Sequence, residues 1–131
     1  MIDFTTISNQ AEGVMEITIA DRVDYEDGII PFFQSGIAAE FREYVEMNNP
    51  KSIKLNINSV GGNVYEGVNI YSYLKTKNVR VTARVEGIAA SIASIVLMAA
   101  DTIEMGEGSF IMIHNPQMKA EGDANEMKKA P

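Results

Sequence analysis

The chain has 131 residues, of which 46% are hydrophobic and 22% are charged, a composition that suits one globular domain with its own core. Its formal net charge of −7 disfavours nucleic acid and anionic membranes as partners, because both attract clusters of lysine and arginine. With no cysteine and one histidine, the sequence predicts neither disulfides nor a metal site and favours a reducing, cytoplasmic setting. The longest apolar run, residues 88–100, is too short to cross a bilayer. We therefore expect one domain over residues 1–131 that uses no cofactor.

Strands and helices alternate along the chain. Alternation of apolar and polar residues predicts strands at residues 15–19, 53–57 and 79–85. Apolar residues at helical spacing predict helices at residues 34–47 and 64–74, the first preceded by a polar loop, "DRVDYEDG". Gly87 is predicted to turn the chain into a buried helix at residues 91–100, and short strands follow at 102–105 and 110–113. This order predicts an α/β fold with a largely parallel sheet.

Two loops follow predicted strands, "NSVGG" and "EGIAAS". We expect them to converge, because functional groups of such sheets usually lie at the carboxyl ends of the strands. The first loop has neither the Lys-Ser/Thr of a P-loop nor G-x-G-x-x-G spacing, which disfavours nucleotide binding. Two interpretations of Gly61 and Gly62 stay open: a tight turn, or backbone N–H groups exposed to a ligand.

Ser91 follows a strand and lies next to Ala89 and Ala90, so a substrate backbone could approach its hydroxyl closely. The G-x-S-x-G pattern of a nucleophile elbow is absent, and a serine that caps or packs at a helix start is the commoner reading, for Ser94 as well. His114 lies where a strand meets a loop, a position at which a lone histidine is usually structural. Its side chain is nevertheless the one whose ordinary pKa suits the base that a serine nucleophile needs.

Three stretches in order, "INSVGGNVYEGVNIYSYL", "GIAASIAS" and "MIHNP", resemble the Clp protease proteolytic subunit, and within that family the phage-encoded head maturation (prohead) proteases. They cover roughly residues 53–116. The resemblance implies a ClpP/crotonase-like fold of repeated β-β-α units. It also implies that Ser91 is the nucleophile and His114 the general base, with the backbone N–H groups of Gly62 and Ile92 forming the oxyanion hole.

The sequence departs from the family pattern at two points. Val60 replaces the proline before the double glycine. The aspartate of the family's triad comes well after the histidine, beyond a long handle helix, and "GDANEMKK" is predicted to begin that helix. We therefore expect a truncated chain, weakly active or inactive, whose third triad residue lies beyond residue 131. Asp123 is not assigned to the triad, and Asp101 is expected to cap or end the helix before it.

The resemblance implies peptide-bond hydrolysis through an acyl-enzyme, with a polypeptide substrate. For a phage protein the substrate would be a capsid or scaffold protein in the host cytoplasm. Relatives form heptameric rings, often stacked in pairs, and the housekeeping members receive unfolded chains from an ATPase unfoldase. Two alternatives stay open: an idle scaffold or binding protein of the same fold, and a crotonase-like enzyme acting on acyl-CoA. Labelling of Ser91 and binding of acyl-CoA distinguish the protease from these two alternatives.

Overall fold

Strands and helices alternate in the computed structural model, which describes residues 2–3, 13–20, 23–24, 28–29, 36–115 and 123–128. The strands are β1 (Ile2–Asp3), β2 (Val14–Ala20), β3 (Val23–Asp24), β4 (Gly28–Ile29), β5 (Ser52–Ser59), β6 (Arg80–Ala90), β7 (Thr102–Met105) and β8 (Phe110–Met112). The helices are α1 (Ile37–Asn48), α2 (Val64–Thr76), α3 (Ile92–Leu97) and α4 (Ala124–Met127).

The main sheet is largely parallel, as the sequence predicts. Its strand order is β1-β2-β5-β6-β7, and β8 also pairs with β6. The strand β1 is antiparallel to β2, whereas β2, β5, β6, β7 and β8 all run in the same direction. The α/β prediction is confirmed. The prediction of a plain loop for "DRVDYEDG" is partly wrong, because β3 and β4 pair there as a short antiparallel ladder.

The core lies on one face of this sheet, beneath α1, α2 and α3. Alternate residues of β2 and β5 are buried and their neighbours are half-buried over most of both strands, which is the period that the sequence predicts. Phe41 and Val45, one turn apart on α1, are completely buried against the sheet. None of the described helices is long and apolar enough to span a membrane.

Gly87 does not turn the chain, contrary to the sequence prediction. The strand β6 continues through it with a bulge: Ile57 pairs with Val85 and Ser59 pairs with Ala89, so β6 has two extra residues here. Gly87 adopts a φ of 86°, which side chains rarely tolerate, so a glycine can signal a bulge as well as a turn. The bulge divides β6 into a first part that pairs with β7 and a last part that pairs with β8.

The helix after β6 is shorter than predicted. It covers Ile92–Leu97 rather than residues 91–100, and Asp101 neither caps nor ends it. Instead, Asp101 accepts a hydrogen bond from the N–H of Val81 at 2.8 Å and donates its own N–H to the Val81 carbonyl at 2.7 Å. The chain must leave the helix early because these bonds bring it back to the start of β6. Within the segment predicted to begin the handle helix, the described part forms one helical turn, α4.

Glu46 joins α1 to α2 through two hydrogen bonds. The Tyr73 hydroxyl donates to Glu46 Oε1 at 2.7 Å, and Lys77 Nζ lies 3.1 Å from Oε2. These contacts, the tyrosine bond first, lower the pKa of Glu46 below its ordinary value of 4.5. The ionised carboxylate therefore contributes stability above the unfolded-state pKa, and this contribution is lost as the pH falls through the lower folded-state pKa.

We expect Glu46→Gln to lower the free energy of unfolding near neutral pH by a small amount, because the site is exposed and screened by water. The difference from the wild type should shrink as the pH falls below 4.5, the ordinary value for this group. Urea unfolding at several pH values between neutral and acidic measures this difference in the free energy of unfolding. Glu43→Gln, on the exposed face of the same helix, serves as the control. A difference that stays constant with pH would contradict the expectation.

Candidate active site

Ser91 has a backbone conformation that is rare for a residue with a side chain. It lies between β6 and α3 with φ 55° and ψ −128°, and Asn49 is the other non-glycine residue with positive φ among those described. Such conformations cost about 1–3 kcal/mol and concentrate at functional sites. The Ser91 side chain makes no capping hydrogen bond to α3, and the residue is half-buried. A strained turn from strand to helix that carries a serine resembles the geometry of a nucleophile elbow, although G-x-S-x-G is absent.

The glycine turn after β5 packs directly on Ser91, so the two loops converge as predicted. A methyl group built on Gly61 would lie 2.9 Å from Ser91 Cβ and 3.1 Å from the Ala90 carbonyl oxygen. Gly61 and Gly62 adopt φ values of 109° and 145°. Positive φ at both positions, together with the close approach at Gly61, explains why this turn consists of glycines. Gly62 is exposed beside the buried Gly61.

Each loop carries one of the two backbone N–H groups that the sequence predicts for the oxyanion hole, those of Ile92 and Gly62. Ile92 is the first residue of α3, so its N–H has no carbonyl partner within the helix. The Gly61 N–H donates to Ser59 Oγ at 3.1 Å, which leaves Gly62 as the next N–H of the turn.

The sequence does not reveal the part played by Gly67 of α2. A methyl group there would overlap Ile92 Cγ1, so this glycine lets α3 pack against α2.

His114 follows β8, the strand that pairs with the end of β6. Ala90 is in register with Met112, and the Ser91 N–H donates to the Met112 carbonyl at 2.9 Å. His114 is exposed, and its Nδ1 lies 2.7 Å from the Asn115 carbonyl oxygen. Because a carbonyl only accepts, Nδ1 must carry the proton in this contact, and a neutral ring then has its lone pair on Nε2. No hydrogen bond joins Ser91 to His114 within residues 36–115.

The third member of a triad is not found in the described part of the chain. None of the described carboxylates hydrogen-bonds to the His114 ring, and Asp123 Oδ1 accepts the N–H of Asn125 at 2.9 Å. The described residues also contain no group of acidic or histidine side chains that could hold a metal ion. Two segments thus lie next to Ser91: the glycine turn, through Gly61, and the end of β8, which His114 follows.

A family model described as Clp protease matches residues 31–130. The chain belongs to the Clp protease family. Among curated relatives, the ATP-dependent Clp protease proteolytic subunit of Bacteroides fragilis is 35% identical over 88 residues, covering 65% of this chain and 42% of the relative. That of Carsonella ruddii is 31% identical over 115 residues, covering 84% of this chain and 58% of the relative.

The fold of this Clp protease chain also has a solved counterpart. A ClpP1 mutant from Listeria monocytogenes matches with a TM-score of 0.56 at 23% identity, covering 64% of this chain and 52% of the other. At this identity the match speaks for the fold alone, and it agrees with the ClpP-like prediction. The chain spans between 42% and 58% of the length of the two curated relatives.

Proposed function

We propose that this chain is the catalytic part of a ClpP-type serine endopeptidase, with Ser91 as nucleophile and His114 as general base. The observation that carries the proposal is the conformation of Ser91, with φ 55° at the turn between β6 and α3. Backbone strain at this half-buried serine has no evident structural benefit, since the side chain does not cap the helix. The serine also faces the glycine turn, which can supply backbone N–H groups.

The proposed reaction proceeds in two halves. Ser91 Oγ attacks the carbonyl carbon of a peptide bond while His114 Nε2 takes the hydroxyl proton, and the N–H groups of Gly62 and Ile92 stabilise the oxyanion. His114 then gives the proton to the leaving amine as the C–N bond breaks, which leaves an acyl-enzyme. Water attacks the ester while His114 accepts its proton, and His114 returns that proton to Ser91 Oγ as the C–O bond breaks, which frees the serine hydroxyl and the product carboxylic acid.

The Nδ1 contact of His114 supports its role as base. With the proton held on Nδ1 by the Asn115 carbonyl at 2.7 Å, Nε2 is free to accept the serine proton. Catalytic hydrogen bonds are often long without substrate, so the lack of a Ser91–His114 bond does not oppose the role. The triad acid stays unassigned. Without one the rate is low, because loss of the aspartate costs about 10⁴-fold in the serine protease template.

We extend the proposal to substrate and assembly. The motifs "GIAASIAS" and "MIHNP" favour a phage head maturation protease that cuts capsid or scaffold protein in the host cytoplasm. A heptameric ring would cover the exposed apolar side chains of β7 and β8, Ile103, Met105, Phe110 and Met112. The curated relatives are named ATP-dependent, so an ATPase unfoldase is a second partner to test.

Labelling with a fluorophosphonate probe, followed by intact-mass analysis, tests the proposal. We expect one adduct on the wild-type chain, mapped to Ser91 by peptide sequencing, because only an activated hydroxyl attacks this phosphorus. Ser91→Ala should remain unlabelled, whereas Ser72→Ala, which changes an exposed serine of α2, should label like the wild type. An unlabelled wild type would overturn the proposal in favour of an idle scaffold, and acyl-CoA binding without labelling would favour a crotonase-like enzyme.

A further inference from the structure

Two polar side chains are buried among the described residues, Ser59 and Ser94, which are 0% and 1% exposed. Each forms a hydrogen bond with the backbone of one of the two loops at the candidate site. We infer that Ser59 and Ser94 are positioning residues that set the direction of the two N–H groups of the oxyanion hole. This inference rests on the proposed function and adds residues to it that do not touch the substrate.

Ser94 acts on the peptide unit that contains the Ile92 N–H. Its Oγ donates to the Ser91 carbonyl at 2.6 Å, and its N–H donates to the same oxygen at 3.0 Å. The Ser91 carbonyl and the Ile92 N–H belong to one planar trans peptide, so they point in opposite directions. Two bonds that hold the carbonyl towards the helix therefore hold the Ile92 N–H away from it, towards the turn.

This constraint acts on the carbonyl side of Ser91, whereas the Gly61 turn packs on its Cβ and the Met112 carbonyl binds its N–H. The Ser91 conformation is an unfavourable one that relaxes unless its surroundings hold it. The helix α3 has six residues, so it provides only a short hydrogen-bonded frame for its first peptide. An oxyanion hole acts by donors that are already aimed before the reaction, and a rotation of this peptide would move one donor out of line.

Ser59 acts on the other loop. Its Oγ accepts the N–H of Gly61 at 3.1 Å, and Ser59 itself is in register with Ala89 of β6. Gly61 and Gly62 lack side chains, so their conformation is not limited by a Cβ atom. The hydrogen bond that the Gly61 N–H donates to the buried Ser59 therefore restricts this flexible turn, and it ties the turn to the strand that leads to Ser91.

The chain offers a matched control for the Ser94 hydrogen bond. Ser109, between β7 and β8, donates its Oγ to the Gly106 carbonyl, also three residues earlier and also at 2.6 Å. Ser109 is an example of a serine whose hydroxyl only hydrogen-bonds to a carbonyl of its own turn. Removing either hydroxyl deletes the same bond from a turn, but only the Ser94 bond holds a peptide of the proposed oxyanion hole.

The rate of fluorophosphonate labelling at increasing probe concentration separates the limiting rate constant from the probe concentration at half saturation. For Ser94→Ala we expect a fall of about tenfold in the limiting rate constant, less than the 100-fold or more for loss of a donor, with half saturation unchanged. Ser94→Cys, which keeps a weak donor, should lie between Ser94→Ala and the wild type. Ser59→Ala should behave like Ser94→Ala, and Ser109→Ala like the wild type.

Urea unfolding midpoints are measured for every variant to show that it is folded. If Ser94→Ala does not fold, the labelling rate of Ser94→Cys tests the inference. Labelling of folded Ser94 variants at the wild-type rate would overturn the inference and leave the proposed function intact. An equal loss in Ser109→Ala would also overturn it, since the effect would then be general. A wild type that is not labelled would overturn the proposed function itself.

Discussion

Replacing His114 by alanine is expected to slow fluorophosphonate labelling of Ser91 by about 10³-fold, within the range of general acid–base catalysis. The physical reason is that a serine hydroxyl is a weak nucleophile until a base takes its proton. His114 lies on the strand end next to Ser91, through the pairing of Ala90 with Met112, and its Nε2 is available. The measurement is the labelling rate at a fixed probe concentration.

Exogenous imidazole gives this experiment a sharper readout. His114 is exposed, so its removal should leave a space that opens to solvent and admits a small base. We expect imidazole to restore part of the labelling of His114→Ala, with no effect on Ser91→Ala. Asn115→Ala, which keeps the backbone carbonyl bound to Nδ1, is the control and should label like the wild type. Unchanged labelling in His114→Ala would remove His114 from the mechanism.

Replacing Gly67 by alanine is expected to destabilise the chain and to suppress labelling of Ser91. The new methyl group would overlap Ile92 Cγ1, and overpacking of a buried contact costs about 1–3 kcal/mol. This cost exceeds the gain of about 1 kcal/mol that alanine brings over glycine in a helix. Because Ile92 carries a proposed oxyanion N–H, the shift that relieves the overlap displaces that donor. Urea unfolding and the labelling rate measure the two effects.

A double-mutant cycle tests whether the overlap is the cause. Ile92→Ala removes Cγ1 and leaves a cavity, which by itself costs about 2–5 kcal/mol. In the Gly67→Ala, Ile92→Ala double mutant the methyl group would occupy part of that cavity. We therefore expect the double mutant to lose less stability than the sum of the two single changes. Additive losses would show that Gly67 acts through something other than contact with Ile92.

The periodicity of apolar residues is sufficient to predict the helices and strands of which one face is buried. The strands β2 and β5 and the helices α1 and α2 lie close to their predicted positions for this reason. At Gly87 the sequence predicts a turn where the structure has a bulge, because a glycine with positive φ has the same sequence signature in both. The end of α3 was also missed, since the bond from Asp101 to Val81 joins residues twenty positions apart.

The candidate site also has parts that the local sequence predicts and parts that depend on tertiary contacts. The stretches around Ser91 and His114 could be found from local sequence and from resemblance to a family. The strained backbone of Ser91 could not, because it is imposed by tertiary contacts with Gly61 and with the Met112 carbonyl. The role of Gly67 could not be predicted either, because its packing against Ile92 depends on how α2 and α3 meet.

Within the part of the chain that the structure describes, the strand β8 is attached to the sheet by three paired residues of β6, Ile88, Ala89 and Ala90, together with the Ser91 N–H. The four pairs of β7 lie on the other side of the bulge and do not support it directly. Short peripheral units of this kind open at a lower free energy than the domain unfolds. Such an opening would separate the histidine from the serine while the core stays folded, so the activity and the global stability of this chain are distinct quantities.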